Sequence, residues 1–273
     1  MSYFKFKDYQ VFYQVDGAGK PLLILNGIMM STKSWQPFIN TLSRTNQIIR
    51  VDFLDQGQSD KLVGLSYTQT LQVELLVALL AHLQLSQVSV VGISYGGEVA
   101  LQLACDYPQL VERLILFNTT AYTSPWLADI GKGWIAAGKT RDPLHYYYTA
   151  IPIIYSPYFY ESRLAWMRNR EQVLKPVFSN PDFLDAMERL TLSADHHHLV
   201  AKLPLIKAPT LIVSAEQDYL TPMHEQEFLY RHIKDAQWIK IPEAGHASMY
   251  EKPLLFTTLI IGFVNAHDVV YNI

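Results

Sequence analysis

Short, almost uninterrupted apolar runs recur along the chain and alternate with segments whose apolar residues are spaced three and four apart. The runs predict strands buried on both faces, as in a mostly parallel sheet, and the spaced segments predict the helices that flank it. This alternation is typical of an α/β domain. The predicted strands are residues 22–25, 48–51, 88–93, 114–117, 210–213 and 238–241, and the predicted helices are residues 34–42, 68–83, 97–105, 222–233 and 253–266.

The alternation breaks between residues 121 and 202, a stretch with few strand-like runs and many tyrosines and tryptophans. We expect this stretch to form a helical lid inserted into the α/β core. The chain then divides into an N-terminal part of the core (residues 1–120), the lid (121–202) and a C-terminal part of the core (203–273).

Composition narrows the class of protein. With 49% hydrophobic and 17% charged residues and a net charge of −3, the chain is expected to be globular, and it shows no electrostatic preference for nucleic acid. The single cysteine, Cys105, excludes an internal disulfide framework and a cysteine-rich zinc site, and it is expected to pack in a helix. The first residues lack the apolar region of a signal peptide, and no apolar stretch has the length of a membrane span. We therefore expect a cytoplasmic protein.

A serine lies between two glycines at the end of a predicted strand and the start of a predicted helix, in the run Gly92-Ile93-Ser94-Tyr95-Gly96. A sharp turn at this point brings neighbouring backbone so close that only glycine fits at positions 92 and 96. The turn presents the Ser94 hydroxyl above the sheet edge. The backbone amide of Tyr95, at the helix start, is placed to donate to an oxygen bound beside the serine.

A serine hydroxyl needs a base to react at neutral pH, and a histidine base needs a carboxylate to orient it. Asp218 follows one predicted strand, and His246 follows the next one. Both lie beyond the carboxyl ends of parallel strands, where open α/β sheets place their ligands. Ser94, Asp218 and His246 can therefore converge. Glu216 is the one serious rival for the acid, because Asn118 at the end of an earlier strand carries no charge.

These residues resemble the α/β-hydrolase fold family, in its serine hydrolase branch with a helical lid, over nearly the whole chain. The resemblance implies that Ser94 is the nucleophile, His246 the general base and acid, and Asp218 the orienting carboxylate. It also implies an oxyanion hole made by the backbone amides of Ile28 and Tyr95. The matching segments are Gly92-Ile93-Ser94-Tyr95-Gly96, the run at residues 208–213 followed by Asp218, and Gly245-His246.

The chain departs from the usual family pattern in two places. Asn26-Gly27 stands where His-Gly is usual, followed by Met29 in place of a proline or glycine. Asp55 replaces the first glycine of a segment that otherwise resembles D-x-x-G-x-G-x-S. We interpret Asp55 as a turn residue that accepts hydrogen bonds from local amides, with a pocket carboxylate as the alternative.

Apolar and aromatic side chains near the serine and in the lid predict a largely apolar substrate pocket, for which we select Met29, Trp35, Trp126 and Tyr155. No cofactor or metal is expected. His196, His197 and His198 are consecutive, and consecutive helical residues cannot share one ion, so they are expected on a polar lid helix.

A serine nucleophile predicts an acyl-enzyme on Ser94 and hydrolysis of a carboxylic ester or related acyl bond in a small, largely apolar substrate. The expected partner is that small molecule, with neither nucleic acid nor a membrane span, and the oligomeric state stays open. Two alternatives stay open. One is an acyltransferase that passes an acyl or hydroxyacyl group to an acceptor other than water, and the other is a receptor that binds a small molecule on the same fold without catalysis.

Overall fold

The computed structural model describes residues 2–266, and within them one eight-stranded sheet has the order β1-β2-β4-β3-β5-β6-β7-β8. The pairs from β4 through β8 are parallel, whereas β1 with β2 and β2 with β4 are antiparallel. The strands are β1 Ser2–Phe6, β2 Tyr9–Asp16, β3 Lys20–Leu25, β4 Asn46–Val51, β5 Val88–Ile93, β6 Val111–Phe117, β7 Thr210–Ala215 and β8 Ala236–Ile241.

Helices cover both faces of this sheet and fill the connection between β6 and β7. Ser31 precedes a short 3-10 turn, Thr32–Trp35, that leads directly into α1. The α-helices are α1 Gln36–Leu42, α2 Gln69–His82, α3 Tyr95–Asp106, α4 Pro125–Lys139, α5 Pro143–Ala150, α6 Pro157–Ser162, α7 Leu164–Phe178, α8 Pro181–Ser193, α9 Met223–His232, α10 Ser248–Glu251 and α11 Pro253–Val264.

The α/β fold and the mostly parallel sheet are confirmed, and strands β3 to β8 lie where the apolar runs predict them. Every residue of β5 and of β7 is buried, as expected for strands covered on both faces. The hairpin β1–β2 was not predicted. In β1 only Phe4 and Phe6 are buried, so this edge strand has the alternating pattern of a sheet covered on one face and no continuous apolar run.

Helices α4 to α8 lie between β6 and β7, and we call residues 125–193 the helical segment. Four of these five helices, all except α7, begin where the sequence provides both a cap and a proline. The side chains of Ser124, Asp142, Ser156 and Asn180 each accept a hydrogen bond from the first turn of the helix that follows, and a proline stands at each helix start. The boundaries of a lid domain stay a prediction, and residues 1 and 267–273 of the predicted core parts lie outside the described residues.

Asp55 anchors the helical segment to the core. Its carboxylate accepts the Leu62 amide at 3.0 Å, as expected of a turn residue, and it also accepts the Tyr67 hydroxyl at 3.0 Å. The guanidinium of Arg189 in α8 binds the same carboxylate, with an Nη2 to Oδ1 distance of 2.5 Å. The Asp55 side chain is 0% exposed and that of Arg189 15%. This buried ion pair therefore holds α8 against the loop that follows β4.

The three consecutive histidines do not lie on a helix, which corrects the sequence interpretation. Helix α8 ends at Ser193, and His196 lies in a turn. The Nε2–H of buried His197 donates to the carbonyl of Thr120 at 3.1 Å, and His198 forms a β-bridge with Tyr122. These contacts join the chain that follows the helical segment to the chain that follows β6. The residues described form no group of three or more side chains that could hold a metal ion.

Residues 2–266 include no helix with both the length and the apolar character needed to cross a bilayer.

Replacing Arg189 with methionine should destabilise the protein by about 2 to 4 kcal/mol, because Asp55 is left as a buried carboxylate without its cation. Urea denaturation followed by circular dichroism measures the loss. Lys139→Met is the matched control. Lys139 of α4 pairs with Glu188, which lies in α8 like Arg189, but the Lys139 side chain is 62% exposed. The loss of stability in Lys139→Met should therefore stay below about 1 kcal/mol. Equal losses in the two variants would contradict an anchoring role for Arg189.

Burial lowers the pKa of His197 to about 4, against the opposing effect of its hydrogen bond to Thr120. The folded state therefore binds this proton less readily than the unfolded state, and stability should fall as the pH drops from 6.5 toward 4. In His197→Gln, the loss of unfolding free energy between pH 6.5 and pH 4 should be smaller than in the wild type by roughly 1 kcal/mol or more. The exposed neighbour His196 supplies the control, and the stability of His196→Gln should vary with pH as that of the wild type does. The same pH dependence in His197→Gln would show that protonation of His197 does not destabilise the fold.

Candidate active site

Ser94 occupies the turn between β5 and α3, and its backbone is strained, with φ 54° and ψ −123°. Such positive φ values are rare for residues other than glycine and are concentrated at functional sites. Cβ atoms would not fit beside it. A Cβ on Gly92 would lie 2.4 Å from the Gly96 carbonyl oxygen, and one on Gly96 would lie 2.5 Å from the carbonyl oxygen of Leu25. The two glycines of the predicted turn are therefore required by close backbone packing.

Asp218 and His246 meet at the carboxyl ends of β7 and β8. The Nδ1 atom of His246 lies 2.8 Å from Oδ2 of Asp218, and both residues are buried. Because a carboxylate accepts, Nδ1 carries the proton in this contact, and Nε2 lies on the opposite side of the ring. Glu216 is not at this position: it is exposed and accepts the backbone amide of Glu243 at 3.0 Å.

The Asp218 carboxylate is surrounded by donors. Oδ1 accepts the amides of Leu220 at 2.8 Å and Thr221 at 3.0 Å, and Oδ2 accepts the Thr221 hydroxyl at 2.9 Å. Burial by itself would raise the pKa of Asp218, but the charge and hydrogen bond of His246, with these donors, outweigh it and hold the pKa below its ordinary value. Asp218 is thus an ionised, fixed partner for the imidazole.

Asn118 belongs to the same network, and sequence reasoning missed this role by considering the residue only as a rival acid. Its side-chain amide donates to Oδ2 of Asp218 at 2.8 Å, while its own carbonyl accepts the Ser248 hydroxyl at 2.9 Å. Asn118 follows β6, and β6 pairs with β7. The adjacency of these two strands was the signal that could have placed Asn118 beside Asp218.

Ser94 and His246 line the same two cavities, although no hydrogen bond joins their side chains within the described structure. Cavity A holds about 570 Å³ of space unfilled by protein atoms, and cavity B about 790 Å³. Ile28, Trp134 and Leu220 also border both. Ser94 therefore borders two chambers that share part of their lining.

The predicted pocket residues divide into two pairs. Met29 and buried Tyr155 line cavity B. Trp35 and Trp126 line neither cavity, which corrects their assignment. Trp35 is fully buried in the core, where its ring packs 6.0 Å from that of Phe256. Trp126 is 59% exposed on the surface, and its indole binds a backbone carbonyl.

The loop after β3 is held by side chains that sequence reasoning did not select. The amide of Gln56 donates to the carbonyls of Gly27 at 2.9 Å and Ile28 at 3.2 Å, and its oxygen accepts the side-chain amide of Asn26 at 3.0 Å. Asn26 in turn accepts the indole N–H of Trp35 at 2.8 Å. In a trans peptide the carbonyl and the following N–H point in opposite directions. Gln56 therefore fixes the direction of the Ile28 amide.

A buried carboxyl lines cavity A one helical turn after Ser94. Glu98 is 4% exposed, and its carboxyl accepts a hydrogen bond from the side-chain amide of Gln69. Burial raises the pKa of Glu98 to about 8, against the opposing effect of Gln69. Since this chamber also contains Asp195, its ionisable lining apart from Tyr95 and His246 is acidic in character.

The loop that carries His246 is tied to the helical segment. A Cβ on Gly245 would lie 2.4 Å from the backbone nitrogen of Ser156. Glu251 of α10 accepts three hydrogen bonds here, from the Ser156 amide at 3.0 Å, the Ser156 hydroxyl at 2.5 Å and the Gly245 amide at 3.1 Å. The position of the imidazole therefore depends on the docking of the helical segment.

Comparisons with known proteins agree with this architecture. Residues 20–253 match the alpha/beta hydrolase fold family. The crystal structure of MGS-M2, an alpha/beta hydrolase enzyme from a Medee basin deep-sea metagenome library, superposes with a TM-score of 0.97 at 48% identity and covers 100% of both chains.

Two curated relatives are more distant. A putative carbamate hydrolase, RutD, of Yersinia enterocolitica is 25% identical over 93% of this chain and 92% of its own. A pimeloyl-[acyl-carrier protein] methyl ester esterase of Nitrosomonas europaea is 25% identical over 90% of this chain and 96% of its own. The fold, the family pattern over most of the chain and the full-length similarity to MGS-M2 lead to one conclusion: this chain is an enzyme of the α/β-hydrolase family.

Proposed function

We propose that this enzyme is a serine hydrolase that cleaves a carboxylic ester or related acyl bond of a small, largely apolar molecule through an acyl-enzyme on Ser94. The observation that carries the proposal is the pairing of Asp218 with His246 beside the two cavities that the strained Ser94 also lines. An ionised acid, an oriented imidazole and a hydroxyl that borders a cavity are the parts that nucleophilic acyl chemistry requires.

In the proposed reaction, Nε2 of His246 takes the proton of the Ser94 hydroxyl while Oγ attacks the acyl carbonyl. The resulting tetrahedral intermediate collapses as the imidazolium donates that proton to the leaving group. Water then attacks the acyl-enzyme with the same histidine as base, and the acid is released with Ser94 restored. Hydrogen bonds of this kind often form or shorten only when substrate is held, which is compatible with the absence of a hydrogen bond between the side chains of Ser94 and His246 in the described structure.

The oxyanion of the intermediate would be bound by the amides of Tyr95 and Ile28. Tyr95 is the first residue of α3, and the first amides of an α-helix have no acceptor within the helix. Ile28 borders both cavities, with its peptide direction held through Gln56. Donors of this type contribute about 3 to 4 kcal/mol each to the stabilisation of the transition state.

The helical segment would act as a lid that closes over the ester. It supplies the outer walls of both cavities, including Trp134 to each and Tyr155 to cavity B. The lining of cavity B is largely aliphatic and aromatic, which favours an apolar acyl or alkyl group there. A lid of this kind would exclude water from the reacting bond and so strengthen the interactions around it.

We place this activity in the cytoplasm.

Replacing Ser94 with alanine should lower kcat for a 4-nitrophenyl ester by about 10⁴-fold or more, because the nucleophile is lost while binding is kept. A fluorophosphonate probe gives the independent measurement. It should label Ser94 of the wild type, as located by mass spectrometry of the digested protein, and leave Ser94→Ala unlabelled. Full esterase activity in the alanine variant, or labelling at another serine, would exclude the mechanism; absence of labelling and of turnover would favour a receptor.

Replacing Gln56 with leucine should lower kcat by about 10- to 100-fold with little change in KM, since the Ile28 amide loses its fixed direction while the cavities keep their walls. Steady-state kinetics on the same ester separate the two constants. Gln58→Leu is the control, because Gln58 lies two residues away and is exposed. A Gln56→Leu variant with wild-type kcat would remove Gln56 from the proposed site.

A further inference from the structure

One side chain in cavity B does not fit its surroundings. Arg170 of α7 lines this largely apolar chamber beside Ser94, and it is the one lysine, arginine, aspartate or glutamate among the lining residues described. Its Nε atom is buried and has no hydrogen-bond partner. A guanidinium is always charged and can only donate, so a buried N–H without an acceptor carries a cost in free energy.

The described protein compensates for this charge only in part. The guanidinium carbon of Arg170 lies 5.2 Å from the ring centroid of Tyr250 and 6.0 Å from that of Trp166, which are cation–π distances. Residues 2–266 offer it no ion pair. The neighbouring acids are engaged elsewhere, because Glu171 binds Arg168 and Tyr148, and Glu251 binds Ser156 and Gly245.

Tyr155 extends this polar patch within the apolar chamber. Its ring stacks on Phe159 with a centroid distance of 5.8 Å. Burial raises the pKa of Tyr155, and the proximity of Arg170 acts in the opposite direction, which places the hydroxyl close to the guanidinium. A hydroxyl and a guanidinium side by side form a set of donors suited to a carboxylate.

We propose that cavity B binds a substrate whose far end, away from the scissile bond, carries a carboxylate, and that Arg170 is the residue that recognises it. One guanidinium matches the single negative charge of a carboxylate and can engage its two oxygens together. The apolar wall between Ser94 and Arg170 matches the methylene chain or ring that would separate the two groups. The substrate class is therefore a half-ester of a dicarboxylic acid or a similar acyl compound with an anionic end.

The lining of cavity A supports the same orientation of the substrate. Cavity A contains Glu98 and Asp195 and, among its described lining residues, neither lysine nor arginine. Because burial raises the pKa of Glu98 to about 8, Glu98 is mostly neutral at pH 7, and Asp195 is the acid that would repel an anion in cavity A. An anionic group is therefore favoured beside Arg170, so the two chambers would orient the substrate relative to Ser94. This inference rests on the proposed function for the position of the scissile bond.

The test compares two substrates of nearly equal shape, monomethyl adipate and methyl adipamate, which differ in a carboxylate against a neutral amide. The wild type should prefer the anion by about tenfold or more in kcat/KM, measured by titration of the released acid. In Arg170→Met the preference should fall to about one while turnover of the amide changes less than about threefold. Arg170→Lys should keep part of the preference. Arg168→Met, an exposed arginine of the same helix, is the matched control and should behave as wild type.

A second pair of substrates carries the anionic end on the alcohol part of the ester. It compares 6-butyryloxyhexanoate with the corresponding terminal amide. The proposal is overturned if the wild type prefers the anion in neither pair, or if Arg170→Met lowers both members of a pair equally, as expected for a packing role alone. Binding separates this inference from the proposed mechanism. In a Ser94→Ala background, calorimetry should show tighter binding of monomethyl adipate than of methyl adipamate, and Arg170→Met should abolish that difference whether or not Ser94 is the nucleophile.

Discussion

The close approach of β5, α3 and the end of β3 is the constraint on which the rest of the site depends. Gly92 and Gly96 allow backbone atoms to pass at distances that no Cβ would tolerate, and Ser94 is held between them in a strained conformation. The fold sustains this strain because β5 is buried on both faces and paired with a strand on each side. In the middle of a buried strand or helix, a serine hydroxyl would pack against neighbouring side chains. At this turn the Ser94 side chain borders two cavities instead.

Around that turn, buried polar groups are satisfied by one another across long sequence separations. Asp218 receives Asn118, Thr221 and His246, and Gln56 joins the loop after β3 to the loop after β4. Such networks stabilise one arrangement, because a buried polar atom without a partner costs about 1 to 3 kcal/mol. Among the described residues that line cavity B, two buried N–H groups have no partner, Nε of Arg170 and Nε1 of Trp134, and of these two side chains only Arg170 carries a charge.

The helical segment contributes to the geometry of the core as well as covering it. Asp55 binds Arg189, and Glu251 binds Ser156, so two buried carboxylates of the core each hold a different helix of the segment. The Glu251 contact lies next to His246, and Asp55 directly precedes Gln56 in the loop after β4. Glu251 also accepts the Gly245 amide beside His246, so one carboxylate binds both the helical segment and the loop that carries the imidazole.

The sequence alone was enough to predict the α/β fold, the strands β3 to β8, the strained turn at Ser94 and the meeting of Asp218 with His246. These follow from local patterns, because continuous apolar runs require burial on both faces and parallel strands bring their carboxyl ends to one edge. Only the tertiary structure decided the rest. Trp35 packs into the core and Trp126 onto the surface, while Gln56, Asn118 and Arg170 acquire their positions through contacts with distant segments. Periodicity tells which residues are buried, but the partner of a buried side chain is set by the packing of elements that are far apart in the chain.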